Sequence, residues 1–596
     1  MKTADESGKG YKAQSRGRCA PRRLLTPIGT GLLVFAVLAC SSPSSTRPTA
    51  RSSDGSAAAK PAAPSRTLVL ATRAEPDSLA EKPLARVAGG GESEIPRMFN
   101  AGLAIDDDQG LARAYLAEAL PQLNTDTWRV LPDGTMETIY RLRPGLTWHD
   151  GQPLHAEDFV FAWRVFQTPE YALSGSPPIN KMDEVAARDE RTVLIRWSGA
   201  YPDAAGLRGV DFPPLPRHIL AEDFQANQST LASHPFWTTG YVGLGPYRID
   251  DWRQGASLDS VAFGGHVWGP PRIDRVVVRF IADSNAVLAS LLSGEVHLSI
   301  RSAIEVPQGV YLRGEWAQRS GGSVLIIPSY WRRGDLQHRP EYVSPASMVD
   351  VRVRRAIAHA IDRQALNQGV FEGEAIIADS VIPPFVPYFA DAERAIAKYP
   401  YDPRRSESLM GEAGWIKGPD GVFANATGRF SLDLRVNASL EGGTELAITG
   451  DGLRQAGFDV QEVAVPRALQ RDGQLRSTFS AIYLGGGGLG EKDTMPNMVS
   501  STIPSPLNHW AGGNRGGWSN TEFDRLFNAY NTTLVRSERD QLVVQMAKVH
   551  TEDVGAISLL FYPSVVAHVA DLRGPRTYAG TSTVVWNLHE WEWTAG

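Results

Sequence analysis

Residues Gly485 to Gly490, GGGGLG, match the spacing G-x-G-x-x-G that wraps a pyrophosphate where a strand turns into a helix. That chemistry requires the loop to open a helix. Here the strand Phe479–Leu484 leads into the glycines, Glu491-Lys492-Asp493-Thr494-Met495-Pro496 follows, and Pro496 argues against a long helix. His589-Glu590-Trp591-Glu592-Trp593 lacks the second histidine of H-E-x-x-H, and no G-x-S-x-G elbow occurs. The two cysteines are Cys19 and Cys40, and the twelve histidines are scattered. No catalytic residue, cofactor or metal site is expected. What remains are groups that can hold a solute without altering it: the charges of Arg73, Glu75, Glu491 and Asp493, and the rings of Tyr330, Trp331 and Trp510. Arg354 and Arg355 have the right chemistry for an anion but fall on a helix whose other face is apolar, which predicts a solvated surface with ion pairs.

The amino terminus carries seven Lys or Arg in its first 39 residues, then an apolar run, Leu24 to Ala39, that is too short and too broken by Pro27, Gly29 and Gly31 to span a bilayer comfortably. It reads as a secretory signal, residues 1–39, with small residues at the cut site. Residues 40–66, rich in Ser, Pro and Ala, have no apolar periodicity and read as a disordered tether. Removing the signal takes away more positive than negative charge from a chain of net charge −6, so no basic stripe is left to neutralise phosphates and nucleic acid is not an expected partner. Its 596 residues and 42% apolar content are enough for two or three cores.

Along the chain, Thr67–Thr72 is a short apolar strand and Arg275–Ile281 a β-branched central one; Gly294 stops the helix before it. Asp350 can cap a helix with Ala356, Ile357, Ala360 and Ile361 in one stripe, and Asp362 restarts a helix that Gly369 ends. Ser519 is placed as the cap of a helix bearing Phe523, Leu526, Phe527 and Tyr530, Ser537 and Asp540 as a capping box for the next, and TVVWNLHEWEW as a last edge strand. Ser323–Trp331 and Ala556–Val569 are strands far apart in sequence.

The stretch Tyr140–Phe161, YRLRPGLTWHDGQPLHAEDFVF, reads as a strand, tight turns and a helix start, and it resembles, almost position for position, the dipeptide/oligopeptide/nickel family of ABC-transporter solute-binding proteins. GLGPY at 243–247, the Ser-Gly-Glu ending at Glu295 and the VRVRRAIAHAID helix continue the resemblance; His297 stands at a family aspartate, which reads as harmless drift. It implies an α/β fold of two lobes, periplasmic-binding-protein-like (type II), with an extra subdomain: lobe I from 67–105, 239–328 and 559–596, its subdomain 106–238, and lobe II 329–558. Cys40 resembles a lipobox cysteine, whose acylation would tether the chain to a membrane.

The implied function is capture of a small organic solute or peptide by hinge closure and delivery to ABC permease subunits with their ATPase, by a monomer. Alternatives are a sensor that presents its solute to a receptor, or a secreted hydrolase. In peptide-binding relatives a Trp-x-x-Asp segment follows the strand before the glycines, its aspartate pairing with the ligand's amino terminus. Here Leu484 falls at the Trp and Gly487 at the Asp, with Gly485 and Gly486 between, so either Glu491 or Asp493 supplies the charge or the ligand is not a free-amino peptide.

Overall fold

The computed structural model describes residues 66–84, 94–171, 173, 175–579 and 582–594, all within one compact unit, Ala63–Gly596. The expected signal, Cys40 and all of the tether except Arg66 lie outside the described residues; the Arg66 N–H donates to Asp274 at 3.0 Å. None of the described helices is long and apolar enough to cross a membrane.

One mixed sheet of eleven strands runs through the molecule. Thr67–Thr72 pairs in parallel with Arg275–Phe280 on one side and Leu298–Ser299 on the other. Flanked on both sides, it buries Leu68, Leu70 and Ala71 completely, which is why the sequence there is an uninterrupted apolar run. Ser257–Ala262 and Tyr247–Arg253 complete this end. At the other end Ser431–Asn437 lies between Asp459–Val465 and Ile482–Gly487, parallel to both. Two long antiparallel strands, Gly322–Leu336 and Ala556–Val569, join the ends, one bordering Ile482–Gly487 and the other Leu298–Ser299. At their midpoint Pro328 faces Pro563 and the register shifts before Tyr330 meets Tyr562. Neither proline carries an N–H, so the ladder loses donors on both strands at one level.

The strand Met136–Arg141 belongs to a separate four-stranded sheet with Trp128–Val130, Thr192–Trp197 and Met182–Asp189. Gly145 and Gly151 turn the chain at φ of 72° and 88°, and helix Ala156–Phe166 follows. Asp158 receives the His155 and Arg217 N–H groups at 2.9 and 3.1 Å, fixing the helix start. Phe159, Val160 and Phe161 are buried behind it, whereas Trp163 is partly buried against the same core.

Several local expectations need correction. Gly369 lies inside helix Arg363–Phe371, which ends at Glu372 in a left-handed conformation. Helix Thr521–Tyr530 is capped by Asn520 rather than Ser519, because the Asn520 side chain reaches the Glu522 and Phe523 N–H groups. Helix Arg536–Glu552 begins before Ser537, so no capping box forms there. Val584–Glu590 is a kinked 3-10 segment, and only Glu592–Trp593 pairs, with Leu572–Arg573. Arg354 is 4% exposed rather than on the solvated face; it binds the Asp553 carboxylate at 2.8 Å and three backbone carbonyls. His297 has a defined task, accepting the Val69 N–H on Nδ1 at 3.0 Å.

Candidate functional site

A groove of ≈ 720 Å³ opens where the two long strands cross between the ends of the sheet. Ser329, Tyr330, Tyr562 and Pro563 form its floor, Arg301 and Glu305 one wall and Glu441 the other. Tyr330 and Tyr562 lie opposite each other in the ladder and therefore present their rings on one face, stacked at 4.4 Å and 16°. Glu305 sits at the start of helix Val306–Arg319, where its N–H is held by Gln308 at 2.8 Å, and its carboxylate takes a hydrogen bond from Arg73. Glu441 lies in the first turn of helix Leu440–Ala456 and receives the Tyr562 hydroxyl. Burial, then the charge of Glu305 and a hydrogen bond shared with it, push the Glu441 carboxyl up to about 7. The groove thus brings two carboxyl groups from opposite ends of the sheet to one aromatic floor.

The first half of the glycine stretch, Gly485–Gly487, is strand rather than loop, and Gly488–Gly490 leave it. Ile482–Gly487 pairs residue for residue with Gly322–Leu336, placing Gly485, Gly486 and Gly487 against Arg333, Arg332 and Trp331. The absence of side chains is a packing requirement: a Cβ on Gly486 would stand 2.8 Å from the Tyr330 ring, and one on Gly487 would stand 2.3 Å from Arg333 Nη1. Only the short helix Glu491–Thr494 follows, so no helix amino terminus of useful length faces the glycines. Among the described residues no group of three or more His, Cys, Asp or Glu is arranged to hold a metal ion.

The family described as bacterial extracellular solute-binding proteins, family 5, matches residues 118–505. The chain belongs to that family. This family-5 protein is 24% identical over 516 residues to the oligopeptide-binding protein AppA of Bacillus subtilis, a match covering 84% of this chain and 87% of that one. Its fold is that of an oligopeptide binding protein from Thermus thermophilus, solved with a pentapeptide, at a TM-score of 0.68 and 22% identity, covering 89% of this chain and 96% of the other. NikZ from Campylobacter jejuni, solved with Ni(L-His), superposes with a TM-score of 0.69 at 20% identity over 89% of this chain and all of that one. The relatives are solute-binding proteins rather than enzymes, and the family is extracellular.

The family-5 chain distributes the sequence candidates unevenly. Tyr330 lines the groove, and Arg73 reaches it through Glu305. Glu75 holds structure: its two oxygens receive the Trp252 indole N–H at 2.6 Å and the Gly255 N–H at 2.8 Å, fixing the turn between two strands. Trp331 and Leu484 are corrections, since strand alternation turns both into the interior, at 0% and 1% exposure. Glu491 is committed to the Tyr388 hydroxyl at 2.8 Å and to Arg536 at 3.3 Å. Asp493 is exposed on its short helix, its Cβ side against Gly488. Trp510 packs on Gly473 and near Tyr342, and it is not among the groove-lining residues.

Sequence reading missed Glu305, Glu441 and Tyr562. Glu441 directly follows the first residue of a helix capped by Ser439, where an acid is ordinary, and nothing local marks it. Only the long-range pairing of Tyr330 with Tyr562 brings it to the groove. A second link joins the four-stranded subdomain to the end of the glycine strand: Asp203 meets Lys492 Nζ at 2.8 Å and the buried Arg539 at 3.2 Å. Burial alone would raise the Asp203 carboxyl, but those two cations overcome it and bring it down to about 2.

Proposed function

We propose that the protein captures a peptide or other small organic solute in the groove between two lobes and hands it to the permease of an ABC importer without changing any bond in it. In this reading lobe I comprises 67–105, 239–328 and 559–596, carries the subdomain 106–238, and faces lobe II, residues 329–558. Cys40 is lipid-modified after removal of residues 1–39, residues 40–66 tether the binding unit to a membrane, and the binding unit acts as a monomer.

The observation that carries the reading is the groove itself, with Glu305 and Glu441 meeting over Tyr330 and Tyr562. Groups on both walls can contact a solute together only when the walls are close, so a solute shifts the equilibrium toward the closed form. The facing prolines Pro328 and Pro563 give the crossing strands a place to rotate without breaking a ladder bond. Gly487 offers no carboxylate, and the Arg333 guanidinium occupies the space beside it, which supports a solute not anchored by a free amine at that point.

The experiment is to release whatever co-purifies with the protein, identify it by mass spectrometry, and add it back while following thermal unfolding. A ligand of the native state raises the melting temperature with its concentration. Scattering should show the particle contract on addition. A solute that raises the melting temperature with no contraction overturns hinge capture, and turnover of the added solute into product overturns the non-catalytic reading.

A further inference from the structure

Below the glycine strand, on the face opposite Tyr330, three arginines gather around one carboxylate. Arg333 and Asp335 alternate onto the same side of Gly322–Leu336, and Arg333 Nε donates to Asp335 Oδ1 at 2.5 Å. The Arg333 side chain is 7% exposed, its guanidinium lies 4.8 Å over the Trp331 ring, and its Nη1 is buried with no hydrogen-bond acceptor. Arg476 and Arg515 are half-buried neighbours of the same carboxylate. Arg476 Nε is likewise buried without an acceptor, and among the described residues neither arginine has a carboxylate within ion-pair reach. Burial, then the charge of Arg476, bring Arg515 down to about 10, with Arg333 adding to the repulsion and Asp335 opposing it. It remains a cation at neutral pH.

Arg97 and Arg539 also carry a buried N–H without an acceptor, but each meets a carboxylate from another segment, Glu81 at 2.9 Å and Asp203 at 3.2 Å, which Arg476 and Arg515 do not. Arg339, close by, donates to the carbonyls of Pro504 at 2.9 Å, Arg515 at 2.8 Å and Ser477, and to Gln337 Oε1 at 3.1 Å. Arg354 has Asp553 and three carbonyls. A buried donor left without a partner costs of the order of 1–3 kcal/mol, and more when charged. Two such donors, and three cations around a single carboxylate, describe a site completed by a negative charge.

We infer that Arg333, Arg476 and Arg515 form a binding site for an oxyanionic group, a carboxylate or a phosphate, with Arg333 as its buried floor and the other two as its rim. Planar guanidinium forks match the paired oxygens of either group, and the missing side chain at Gly487 is what lets the Arg333 guanidinium lie flat against the strand. None of the three arginines lines the groove over Tyr330, so a group on the captured solute would have to extend past the glycine strand to reach them, and that case rests on the transport reading above; binding of free phosphate does not.

The test follows thermal unfolding of the full chain in rising phosphate, acetate and a short acidic peptide, against sodium chloride at matched ionic strength. The wild type should show a saturable rise with at least one of them. A response to phosphate at concentrations where acetate and the peptide do nothing identifies a free anion; a peptide response well tighter than acetate identifies a solute group. Arg476→Gln and Arg515→Gln should each weaken the apparent affinity tenfold or more, while their unliganded melting temperatures match or exceed wild type because a like charge has been removed. Both half-buried positions tolerate this change in folding terms better than Arg333. Absence of any saturable shift in the wild type, or an undiminished shift in both variants, overturns the site. A co-purifying solute that stabilises both variants as it does the wild type rules out a group on that solute and, where phosphate gives no saturable shift either, overturns the site while leaving hinge capture standing.

Discussion

Arg332 and Arg333 are consecutive, equally charged and both largely buried, yet the strand sends them to opposite faces and to opposite fates. Arg332 meets its own carboxylate, Glu445, through two hydrogen bonds, one of them at 2.8 Å from Nε. Arg333 shares Asp335 with the fields of two further cations and leaves one N–H without an acceptor. The first arrangement is closed: every strong partner is present, and the pair holds helix Leu440–Ala456 to the long strand. The second is open, with more positive charge than the fold itself requires. The difference shows that burial of a charge does not by itself mark a functional group; what separates these two arginines is whether carboxylates are present in sufficient number.

The sharpest way to break the comparison is Arg332→Ala, which leaves Glu445 buried and unpaired. Chemical denaturation should show a loss of about 3–5 kcal/mol, the scale expected when one member of a buried pair is removed. Gly487→Ala sharpens the other side by driving a methyl to within 2.3 Å of Arg333 Nη1, which Trp331 and Asp335 hold in place. A stability loss of about 1–3 kcal/mol is expected from overpacking, together with a lost response to anions.

Asp203→Asn tests a third arginine, Arg539, which depends on a carboxylate from the subdomain. Here the effect is expected to be about 1 kcal/mol at neutral pH. Because the folded pKa of Asp203 lies at about 2, below its unfolded value, its contribution is present above pH ~4 and is lost as pH falls toward 2. The variant should lose that part of the acid sensitivity. Glu441→Gln is the gentlest change. Glu441 has a raised pKa of about 7, so the native state holds an extra proton between pH ~4.3 and 7, and its share of stability falls as pH rises through that window. Melting temperatures measured from pH 5 to 8 should decline less in the variant than in the wild type.

Much of this was legible in the residues. The strand and turns around Tyr140–Phe161 follow from a period of two and turn chemistry, the buried strands Thr67–Thr72 and Ala556–Val569 from apolar runs, and they stand where the sequence put them. The start of the glycine stretch was misjudged because four consecutive glycines signal a loop by composition, whereas Gly486 and Gly487 continue the strand with a ring and a guanidinium packed against them. Trp331 was drawn toward the ligand by its place beside Tyr330, although alternation alone sends neighbours to opposite faces. Arg476, Arg515 and Glu441 could not be grouped from the chain, since each becomes significant only through partners brought in by sheet pairing between distant segments.

The facing prolines of the two crossing strands have a further consequence. With no amide proton at Pro328 or Pro563, swivelling there sacrifices no interstrand bond at that level, so the sheet adds little resistance of its own to opening or shutting. In the proposed hinge capture, the set point then falls to the groups that meet from different segments, Glu305 with Glu441 and Asp203 with Lys492 and Arg539. Amide exchange along the two strands should accordingly fall into two protected blocks that open independently, one on each side of the proline level.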